Sequence, residues 1–594
     1  MPTLNGAQLV VRALEDEAIS VAFGIPGTHN IELYDVLARS SVLPVLVTDE
    51  QSAGFMADGY WRASGRLACV NLVPGAGFTH ALSGIAEAWM DGVPMLVLGC
   101  GIRQDVRRAF QLHDIDQLAM AAPVTKATFR PMSGAELYPT IRKACALARA
   151  GTPGPVMVEV PVNLYLTRHD IDPATLTAPA PLPGPRQASE DLAQAAEFLG
   201  RSQSMPLLYV GLGAAPAGAD LVRLAETLGA PVATTIQGKG VFPESHPLFL
   251  WNGFGNSAPP FAREIAARCD RVLAIGCRFS EVGTAGYGLT LPGPLCHVDI
   301  NPEVLGRNFP AELGITADAG RFVRALLGTL SGPSAVVGGI ASSITPAGPV
   351  VPSPPLDLAA AIAAGHAGVR QEWTRQRSAD RVSPPLLLQR LQAILGPDTI
   401  FTTDSGNGTF LAMECLRLEQ PGRFLAPVDY SCMGYSVPAA LGAKLARPDA
   451  PVIALAGDGA FLMTGLECLT AAARGIAVGV VVLRDRELAQ ITQFQETAFN
   501  RPVASALPDY DLSALGRGMG LECLELSRDA DIDAVLEGMK ARLEQGRPVL
   551  VDAAVDYSEK TYFTRGVVKT MLGRLAWKDR LRFVARAVVR KVTG

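Results

Sequence analysis

Short apolar runs alternate along this chain with longer segments whose apolar residues recur at helical spacing. In the C-terminal third, an apolar run over 451–456 is followed by a helical pattern over 463–474 and by a second apolar run over 478–483. Strands that are buried on both faces of a parallel sheet have such continuous runs, and helices cross between them. Similar runs occur at 156–160, 207–210, 271–276 and 296–300. The pattern predicts an α/β fold built from doubly wound parallel sheets.

Two proline-rich stretches interrupt this alternation. The first runs from Ala178 to Pro185, and the second spans about Gly332 to Pro355 and is also rich in Ser, Gly and Ala. Such composition is typical of interdomain linkers. The predicted organisation is a first domain over 1–178, a linker over 179–189, a central domain over 190–331, a linker over 332–382, a third domain over 383–556 and a tail over 557–594.

Composition narrows the class of protein. The 594 residues suffice for about three to four domains, and 48% hydrophobic with 18% charged residues is ordinary for a globular chain with large cores. The net charge of −5 argues against broad nucleic-acid binding. The ten cysteines include no Cys-x-x-Cys pair, which argues against a zinc site or a disulfide framework and favours a cytoplasmic protein. Neither a secretory signal nor an apolar run of about 20 residues is visible.

A glycine-rich turn has the most informative chemistry. The run over 451–456 leads into Gly457, Asp458, Gly459 and Ala460, and the run over 478–483 is followed by Asp485. Glycine lets the backbone approach a phosphate closely, and the carboxyl ends of adjacent parallel strands bring the two aspartates near each other. Magnesium is commonly held by one or two carboxylates together with phosphate oxygens and water. The sequence therefore predicts a metal-diphosphate cofactor site.

An acidic residue in the first domain has two readings. The apolar residues Val45 to Val47 lead into Asp49 and Glu50, and a helical pattern follows over 51–63. Acidic residues at this place commonly complement the N-terminus of a helix. A carboxyl group there is also able to exchange a proton with a cofactor nitrogen. Position alone favours the first reading.

These features occur in the order of a known superfamily. The Gly-Asp-Gly turn with a later ligand pair resembles the signature of thiamine diphosphate enzymes, although Arg484-Asp485 stands where that family has two asparagines. Matching N-terminal segments occur at 23–28, 49–60, 74–77 and 88–94. Over about residues 4–556 the chain resembles the acetohydroxyacid (acetolactate) synthase and pyruvate oxidase group. The resemblance implies three α/β domains in this order: a pyrimidine-binding domain, a central domain and a diphosphate-binding domain.

The resemblance also implies roles for individual residues. Glu50 falls on the glutamate that activates the cofactor, and Mg2+ is expected on the carboxylates of Asp458 and Asp485 and the carbonyl of Glu487. Met433 falls on the apolar wedge that bends the cofactor. Further cofactor contacts are implied at Pro26, Asn407, Ser431, Gly457, Gly459 and Ala460. Substrate contacts are implied at Gly27, Thr28, Phe110 and Gln111.

The reaction is inferred from a few positions. Phe110-Gln111 matches acetohydroxyacid synthases, whereas His113 stands alone where pyruvate decarboxylases have paired histidines, and Val73 replaces the histidine of benzoylformate decarboxylase. The resemblance implies decarboxylation of a pyruvate-like 2-oxoacid and carboligation to a second carbonyl. Phe494 and Val282 replace a tryptophan and an arginine that acetohydroxyacid synthases use for the acceptor. The acceptor is therefore not fixed as pyruvate.

Other functions stay open at this point. One alternative is a 2-oxoacid decarboxylase without carboligation, and another is a flavin-linked pyruvate oxidase. Gly211-x-Gly213 in the central domain is a weak dinucleotide signal, so FAD remains an open second cofactor. A non-catalytic scaffold or binding subunit is the alternative from another class.

The assembly and the tail complete the predictions. In the family, the pyrimidine domain of one subunit faces the diphosphate domain of another, so a homodimer or homotetramer is expected and Glu50 should meet Asp458 across an interface. Beyond Arg565 the tail is basic, with one cation at each turn: Lys578, Arg582, Arg586 and Arg590. This pattern predicts a basic amphipathic helix. Peripheral contact with a membrane, a lid over the site and a helix resting on its own subunit all fit it.

Overall fold

The computed structural model describes residues 3–331 except 107, 181, 183 and 185–188, residues 357–574, and residue 577. Its architecture is three six-stranded parallel sheets with helices between the strands. The predicted α/β class with three doubly wound sheets is confirmed. The apolar runs found in the sequence are the buried central strands of these sheets, because such strands are covered by helices on both faces.

The N-terminal sheet has the strand order β3-β2-β4-β5-β7-β6, and a short antiparallel pair, β1 and β8, lies apart from it. The strands are β1 (Thr3–Asn5), β2 (Val21–Gly24), β3 (Leu43–Leu46), β4 (Cys69–Leu72), β5 (Leu96–Gly101), β6 (Thr128–Phe129), β7 (Val156–Pro161) and β8 (Arg168–Asp170). The helices are α1 (Gly6–Asp16), α2 (Ile31–Leu37), α3 (Glu50–Ser64), α4 (Ala76–Asp91), α5 (Gln117–Ala121), α6 (Gly134–Arg149) and α7 (Val162–Leu166).

The central sheet has the order β11-β10-β9-β12-β13-β14, in which the direction of winding reverses between β9 and β12. Its strands are β9 (Pro206–Val210), β10 (Val232–Thr234), β11 (Phe249–Asn252), β12 (Arg271–Ile275), β13 (Leu295–Asp299) and β14 (Leu313–Thr316). Its helices are α8 (Ser189–Gly200), α9 (Gly218–Leu228), α10 (Pro260–Ala266) and α11 (Ala319–Leu330). A reversal of this kind opens a crevice at the carboxyl ends of the strands.

Helix α12 (Leu358–Arg375) lies within the range that the sequence assigned to the second linker. Its buried residues, Ile362, His366, Val369 and Trp373, form one stripe at helical spacing. His366 Nε2 lies 3.0 Å from the carbonyl oxygen of Phe249 in β11. This part of the range is therefore a packed helix of the central domain. This helix was assigned to the linker because a proline-rich stretch precedes it and its apolar stripe is narrow.

The C-terminal sheet has the order β16-β15-β17-β18-β20-β19, which is the topology of the N-terminal sheet repeated. The strands are β15 (Ile400–Thr403), β16 (Phe424–Leu425), β17 (Val452–Gly457), β18 (Gly479–Arg484), β19 (Glu522–Leu526) and β20 (Val549–Ala554). The helices are α13 (Pro384–Leu395), α14 (Asn407–Cys415), α15 (Ser436–Ala446), α16 (Asp458–Thr464), α17 (Cys468–Arg474), α18 (Ala489–Phe499), α19 (Leu512–Gly518), α20 (Ile532–Glu544) and α21 (Tyr562–Arg574).

Helices α3 and α15 join the N-terminal and C-terminal domains through glycine contacts. A Cβ atom on Gly59 would lie 2.1 Å from the carbonyl oxygen of Ala439, and one on Gly442 would lie 2.0 Å from the carbonyl oxygen of Met56. No side chain fits at these distances, so glycine is what allows the two backbones to touch. The two domains consequently share one apolar core.

A buried charge network lies where all three domains meet. The side chain of Arg62 in α3 is 7% exposed, with Nη2 at 2.7 Å from Asp91 Oδ2 and Nε at 2.7 Å from Asp58 Oδ1. The two carboxylates accept further hydrogen bonds from the C-terminal domain, at Tyr435, Val428 and Asp429, and from Gln237 of the central domain. Arg62 is therefore the cation that holds two buried carboxylates at the junction.

The tail begins with α21, which packs across two domains. The carboxylate of Glu414 in α14 accepts hydrogen bonds from the N–H groups of Tyr562 and Phe563 at 3.1 and 2.8 Å. At the other end of the helix, Arg574 donates to the carbonyl oxygen of Gly286 in the central domain. The four cations of the predicted amphipathic helix, Lys578, Arg582, Arg586 and Arg590, lie outside the described residues. Within the residues that are described, no helix is both long enough and apolar enough to cross a membrane.

Candidate active site

The diphosphate turn predicted from the sequence connects β17 to α16. A Cβ atom on Gly457 would meet no atom within 4 Å, so this side of the turn is open to a ligand. Asp458 is 3% exposed, and its carboxylate accepts hydrogen bonds from the N–H of Gly459 at 2.9 Å and of Arg486 at 2.7 Å. The Asp458 carboxylate thereby links the turn after β17 to the loop after β18 through hydrogen bonds. Ala460 continues the buried first turn of α16.

The second aspartate lies beside the first. Strands β17 and β18 pair in register, with Gly457 opposite Leu483, so Asp485 follows β18 at the same edge of the sheet. Burial, with a smaller contribution from the charge of Asp458, raises the pKa of Asp485 to about 7. Arg484 is engaged by Asp552 and Asp509 at 2.6 and 2.8 Å. Two neighbouring carboxylates of this kind suit a bound divalent cation.

The ligand set predicted for Mg2+ has only two side chains. Glu487 follows in the same loop, and its N–H donates to Asp485 Oδ1 at 3.3 Å while its side chain is exposed. Among the described residues there is no cluster of three or more His, Cys, Asp or Glu side chains suited to a metal. A cation at Asp458 and Asp485 would therefore take its other oxygens from the backbone, a diphosphate and water.

A loop near the turn carries Ser431 and Met433. Met433 Cε lies 3.5 Å from the Cβ position of Gly459, so this methionine borders the diphosphate turn. Ser431 has a left-handed backbone, with φ of 65°, and its hydroxyl lies 2.7 Å from that of Ser405. The loop is held by the buried Asp404, which accepts from the N–H of Tyr435 at 2.8 Å and from the hydroxyl of Ser436.

Asn407 and Asp404 lie near this loop, and only Asn407 was predicted as a site residue from the sequence. Asn407 is half-buried and begins α14 beside Asp404. Burial raises the pKa of Asp404 to about 6. No role was predicted for Asp404, and the signal that was available is its place directly after the buried strand β15. It positions the Ser431–Met433 loop by hydrogen bonding to the backbone that follows.

Glu50 is the first residue of α3 and is 8% exposed. The cap of the helix is Asp49, whose side chain accepts from the N–H of Gln51 at 2.9 Å. The Glu50 carboxylate instead lies 3.3 Å from His80 Nδ1, and a Cβ atom on Gly77 would come within 3.0 Å of Glu50 Oε1. Glycine at position 77 thus leaves room for the carboxylate.

Glu467 is a residue that sequence reasoning missed. It belongs to the C-terminal domain and is completely buried, and its Oε1 accepts from both the N–H and the hydroxyl of Thr48 at 2.7 Å. Thr470 donates to the other oxygen at 3.0 Å. Glu467 therefore fixes the segment that leads into Glu50. The available signal was an acidic residue inside an apolar helical pattern, which is costly to bury unless it is hydrogen-bonded.

The two halves of the predicted site have separate surroundings within one chain. The neighbours of the Glu50 carboxylate, His80 and Gly77, belong to the N-terminal domain. The partners of Asp458 belong to the C-terminal domain. In the part of the chain that the structure describes, no hydrogen bond or ion pair joins Glu50 to Asp458, Asp485 or Met433. Pro26, Gly27 and Thr28 lie on the N-terminal side, where Gly27 N–H donates to Asn30 Oδ1 at 2.7 Å.

The predicted substrate residues Phe110 and Gln111 lie on an exposed loop. The Phe110 side chain is 99% exposed, and Gln111 Nε2 donates to the carbonyl oxygens of Arg103 and Val106 at 3.3 and 3.4 Å. His113, which stood alone in the sequence, has His29 as a neighbour in space, with ring centroids 5.4 Å apart. His113 therefore has no histidine beside it in its own segment but has one from another loop.

A cavity of about 600 Å³ lies where the three domains meet, at the winding reversal of the central sheet. Gly211, Gly213 and Gly276 form one wall, and a Cβ atom on Gly211 would lie 2.2 Å from the Gly276 carbonyl oxygen. Arg278 and Asp299 also line it, and burial raises the pKa of Asp299 to about 6. This arrangement has the size and position of a nucleotide-binding crevice.

The fold and these side chains define a class: an α/β enzyme that binds a diphosphate cofactor with one domain and carries a buried glutamate on another. Comparison with known families agrees with that class. The thiamine pyrophosphate enzyme family matches in three parts, as its N-terminal TPP binding domain over 4–120, its central domain over 192–326 and its C-terminal TPP binding domain over 404–553. The chain belongs to the thiamine pyrophosphate (thiamine diphosphate) enzyme family.

Individual relatives refine this placement. A probable acetolactate synthase large subunit of Methanocaldococcus jannaschii is 30% identical over 586 residues, covering 94% of this chain and 93% of that protein. The acetolactate synthase isozyme 3 large subunit of Escherichia coli is 28% identical over 578 residues, covering 95% and 96%. A probable 2-ketoarginine decarboxylase of Pseudomonas aeruginosa is 31% identical over 554 residues, covering 93% and 94%. The protein is a thiamine diphosphate-dependent enzyme of the acetolactate synthase-like group.

Proposed function

We propose that this enzyme uses thiamine diphosphate and Mg2+ to decarboxylate a 2-oxoacid and to join the remaining acyl group to a second carbonyl compound. The observation that carries the proposal is the pair of neighbouring carboxylates, of buried Asp458 and half-buried Asp485, at the open diphosphate turn. A scaffold subunit would have no need of two neighbouring carboxylates, which repel each other in the absence of a cation. The chain's relatives named acetolactate synthase support the carboligation step.

The residues fit this cofactor. Asp458, Asp485 and the Glu487 carbonyl would hold Mg2+, and the open backbone at Gly457 would receive the diphosphate. Bound thiamine diphosphate supplies the carbon nucleophile and the electron sink that decarboxylation requires. Glu50 would hold the proton that is shared with the aminopyrimidine nitrogen. Further contacts are proposed at Pro26, Asn407, Ser431, Met433, Gly459 and Ala460.

Substrate identity is the finer question. We propose Gly27, Thr28, Phe110 and Gln111 as substrate contacts. Val282 and Phe494 leave the acceptor side without the cation and the tryptophan of acetohydroxyacid synthases, and a charge-assisted contact of this kind contributes about 1.5–3 kcal/mol. The relative named 2-ketoarginine decarboxylase favours a second candidate, decarboxylation that ends in an aldehyde.

The test is a product assay. The purified protein is incubated with thiamine diphosphate, Mg2+ and a panel of 2-oxoacids, with and without carbonyl acceptors, and product masses are recorded. A 2-hydroxyketone or 2-hydroxy-3-oxo acid is the expected product. Aldehyde alone would favour the second candidate, and no consumption of any 2-oxoacid would contradict both.

The cavity where the three domains meet supports FAD as a second cofactor. Its glycine-lined wall and the buried Asp299 are features that nucleotide-binding crevices share. The absorption spectrum of the purified protein tests this proposal. Flavin bands that persist after desalting would support it, and a colourless protein that also binds no added FAD would contradict it.

Replacing each metal ligand should separate their contributions. Asp458→Asn should lower the Mg2+-dependent affinity for thiamine diphosphate by more than about 100-fold. The reason is that Asp458 is both a proposed metal ligand and the hydrogen-bond acceptor that links two loops. Asp485→Asn should keep affinity within about 10-fold, because an amide oxygen still binds the cation and one repulsive charge is removed. Titration of Mg2+ at saturating thiamine diphosphate, followed by fluorescence, measures both. Equal losses in the two variants would contradict this assignment.

An apolar surface beside the diphosphate turn supports a homodimer or homotetramer. Its exposed side chains are Leu462, Met463, Leu466 and Leu469, together with Leu43 and Leu46 of the edge strand β3. Thr470 Oγ1 lies 3.2 Å from the Leu46 carbonyl oxygen, so these groups form one surface. Contiguous apolar surface of this kind is typical of a subunit interface. A second copy bound here would lie next to α16 and Asp458.

Complementation between subunits should reveal a shared site. Heterodimers of Glu50→Gln and Asp458→Asn chains, isolated with two affinity tags, should recover about half of the wild-type activity, because one of two sites then has both intact residues. Heterodimers of wild type with the Glu50→Gln/Asp458→Asn double variant should be inactive, since each site has one defect. Activity in the second heterodimer and none in the first would mean that each chain builds its own site.

A further inference from the structure

Helix α4 has two carboxyl groups one turn apart, at Glu87 and Asp91, and both contact a segment of the C-terminal domain. Asp91 accepts hydrogen bonds from the N–H groups of Val428 and Asp429 at 3.3 and 3.2 Å. Glu87 Oε2 accepts from the N–H of Cys432 at 2.9 Å. Residues one turn apart lie on the same face of a helix. One face of α4 therefore holds the backbone of this segment at three points.

The point held by Glu87 lies inside the loop that carries Ser431 and Met433. Cys432 is the residue between these two, and its N–H is the group that Glu87 accepts from. The Cys432 thiol lies 3.6 Å from the carbonyl oxygen of Ser83, one turn before Glu87 on α4. The loop that places Met433 against the diphosphate turn is therefore attached at its centre to the N-terminal domain of the same chain.

Glu87 differs from Asp91 in what surrounds its charge. Asp91 has the guanidinium of Arg62 at 2.7 Å, whereas Glu87 forms no ion pair with any described residue. Glu87 is completely buried, and within the described part of the chain no donor meets its second oxygen, Oε1. Burial, followed by the charge of Asp91, raises the pKa of Glu87 to about 9. At neutral pH Glu87 is therefore an uncharged acid.

The remaining charged or titratable groups that face Glu87 come from α3, from the residue before α15 and from the loop: Asp58, Arg62, Tyr435 and Cys432. Burial raises the pKa of the tyrosine hydroxyl and of the thiol, so both stay neutral. The guanidinium is already engaged by Asp58 and Asp91. Because folding raises the pKa of Glu87, the stability that depends on its proton is lost as pH rises through about 9. The new charge would then be repelled by the two aspartates.

We propose that Glu87 is a positioning residue of the reaction, which holds Ser431 and Met433 where they would contact the cofactor, an inference that rests on the proposed function. Glu87 acts through its hydrogen bond to the backbone of the loop and needs no contact with the substrate. The uncharged form is the active one, because an ionised carboxylate at this buried place would lack a cation of its own. An amide oxygen is expected to replace it, since an amide is also an uncharged acceptor.

The kinetic test compares Glu87→Met and Glu87→Gln with wild type. Methionine keeps the length of the side chain but has no oxygen for the Cys432 N–H, so kcat should fall by about 100-fold as Met433 is displaced. The KM for the 2-oxoacid should change little. Glutamine keeps the acceptor, so kcat at pH 7 should stay within about 3-fold of wild type. Normal kcat in Glu87→Met, or equal losses in the two variants, would overturn the proposal.

The pH profile separates positioning by an uncharged acid from a purely structural role. Wild type should lose kcat as pH rises through about 9, because Glu87 ionises. Glu87→Gln has no proton to lose at this position and should keep its activity to higher pH. The same alkaline fall in both proteins would overturn the proposal. This comparison remains decisive if Glu87→Met does not fold, which circular dichroism would show.

A third readout does not depend on turnover. The Cys432 thiol is half-buried, so its rate of alkylation by iodoacetamide, followed by peptide mass spectrometry, reports how firmly the loop is held. Glu87→Met should raise this rate by about 5-fold or more, whereas Glu87→Gln should leave it near wild type. Cys523 in β19 is also half-buried and should react alike in all three proteins.

The outcomes separate this inference from the function on which it rests. An unchanged alkylation rate at Cys432 in Glu87→Met would overturn the role of Glu87 even in an enzyme that turns over normally. A raised rate in a wild-type background that consumes no 2-oxoacid would support the hold of Glu87 on the loop and would refute the proposed function.

Discussion

Replacing Glu50 by Gln should lower kcat by about 10²–10⁴-fold while thiamine diphosphate remains bound. The amide keeps the size of the carboxyl group, so the space beside Gly77 stays filled, but it is unable to exchange a proton with the cofactor nitrogen. Because Asp49 caps α3, the helix should keep its start. Steady-state kinetics and a fluorescence titration with thiamine diphosphate measure the two quantities separately.

The control for this prediction is Glu226→Gln, the same change at an exposed glutamate of α9 in the central domain. It should leave both quantities at their wild-type values. Normal turnover in the Glu50→Gln enzyme would remove Glu50 from the mechanism. A loss of cofactor binding equal to the loss of kcat would instead mean that Glu50 shapes the binding site rather than transferring a proton.

The second large effect is expected on stability, at the junction of the three domains. Arg62→Met should destabilise the folded chain by about 3–5 kcal/mol, because it leaves the carboxylates of Asp58 and Asp91 buried without their cation. Methionine preserves most of the apolar length of the side chain, so the loss is chiefly electrostatic. Thermal unfolding followed by circular dichroism should show a fall on the order of 10 °C in the first transition.

The matched control is Arg39→Met. Arg39 pairs with Asp35 at 2.5 Å, but both side chains are largely exposed, so the pair contributes about 0–1 kcal/mol and the transition should hardly move. Equal shifts in the two variants would show that the buried network is no more stabilising than a surface ion pair. Recovery of stability on adding Asp58→Asn to Arg62→Met would support the electrostatic cause.

Much of the fold was available from apolar patterning. The runs at 451–456 and 478–483 are β17 and β18, and those at 207–210 and 271–276 are β9 and β12. The predicted α/β class followed because continuous apolar runs are specific to strands covered on both faces. Helix α12 was missed because a proline-rich stretch precedes it and its buried stripe is narrow. Local pattern identifies an element only when the apolar signal is strong.

Some residues of the candidate site were also predictable from the sequence, and others were not. Asp458 and Asp485 were predicted as neighbours because each directly follows a strand, and parallel strands end at one edge. Glu467 and Asp404 were missed, although Asp404 also directly follows a strand, because their importance depends on the hydrogen bonds that they accept from distant segments. Phe110 and Gln111 matched a motif, yet the chain leaves Phe110 exposed. A motif specifies residue type, whereas exposure depends on what packs against it.

The sequence by itself determined the three α/β sheets and the placement of Asp458 and Asp485 at one sheet edge, because both follow from local periodicity and from residues placed directly after strands. Tertiary structure decided which remote groups meet: His29 with His113, Glu467 with Thr48, and Arg62 with Asp91. The reason is physical. Strand and helix formation depends on neighbours along the chain, whereas pairing between loops depends on how domains pack, which no single segment encodes.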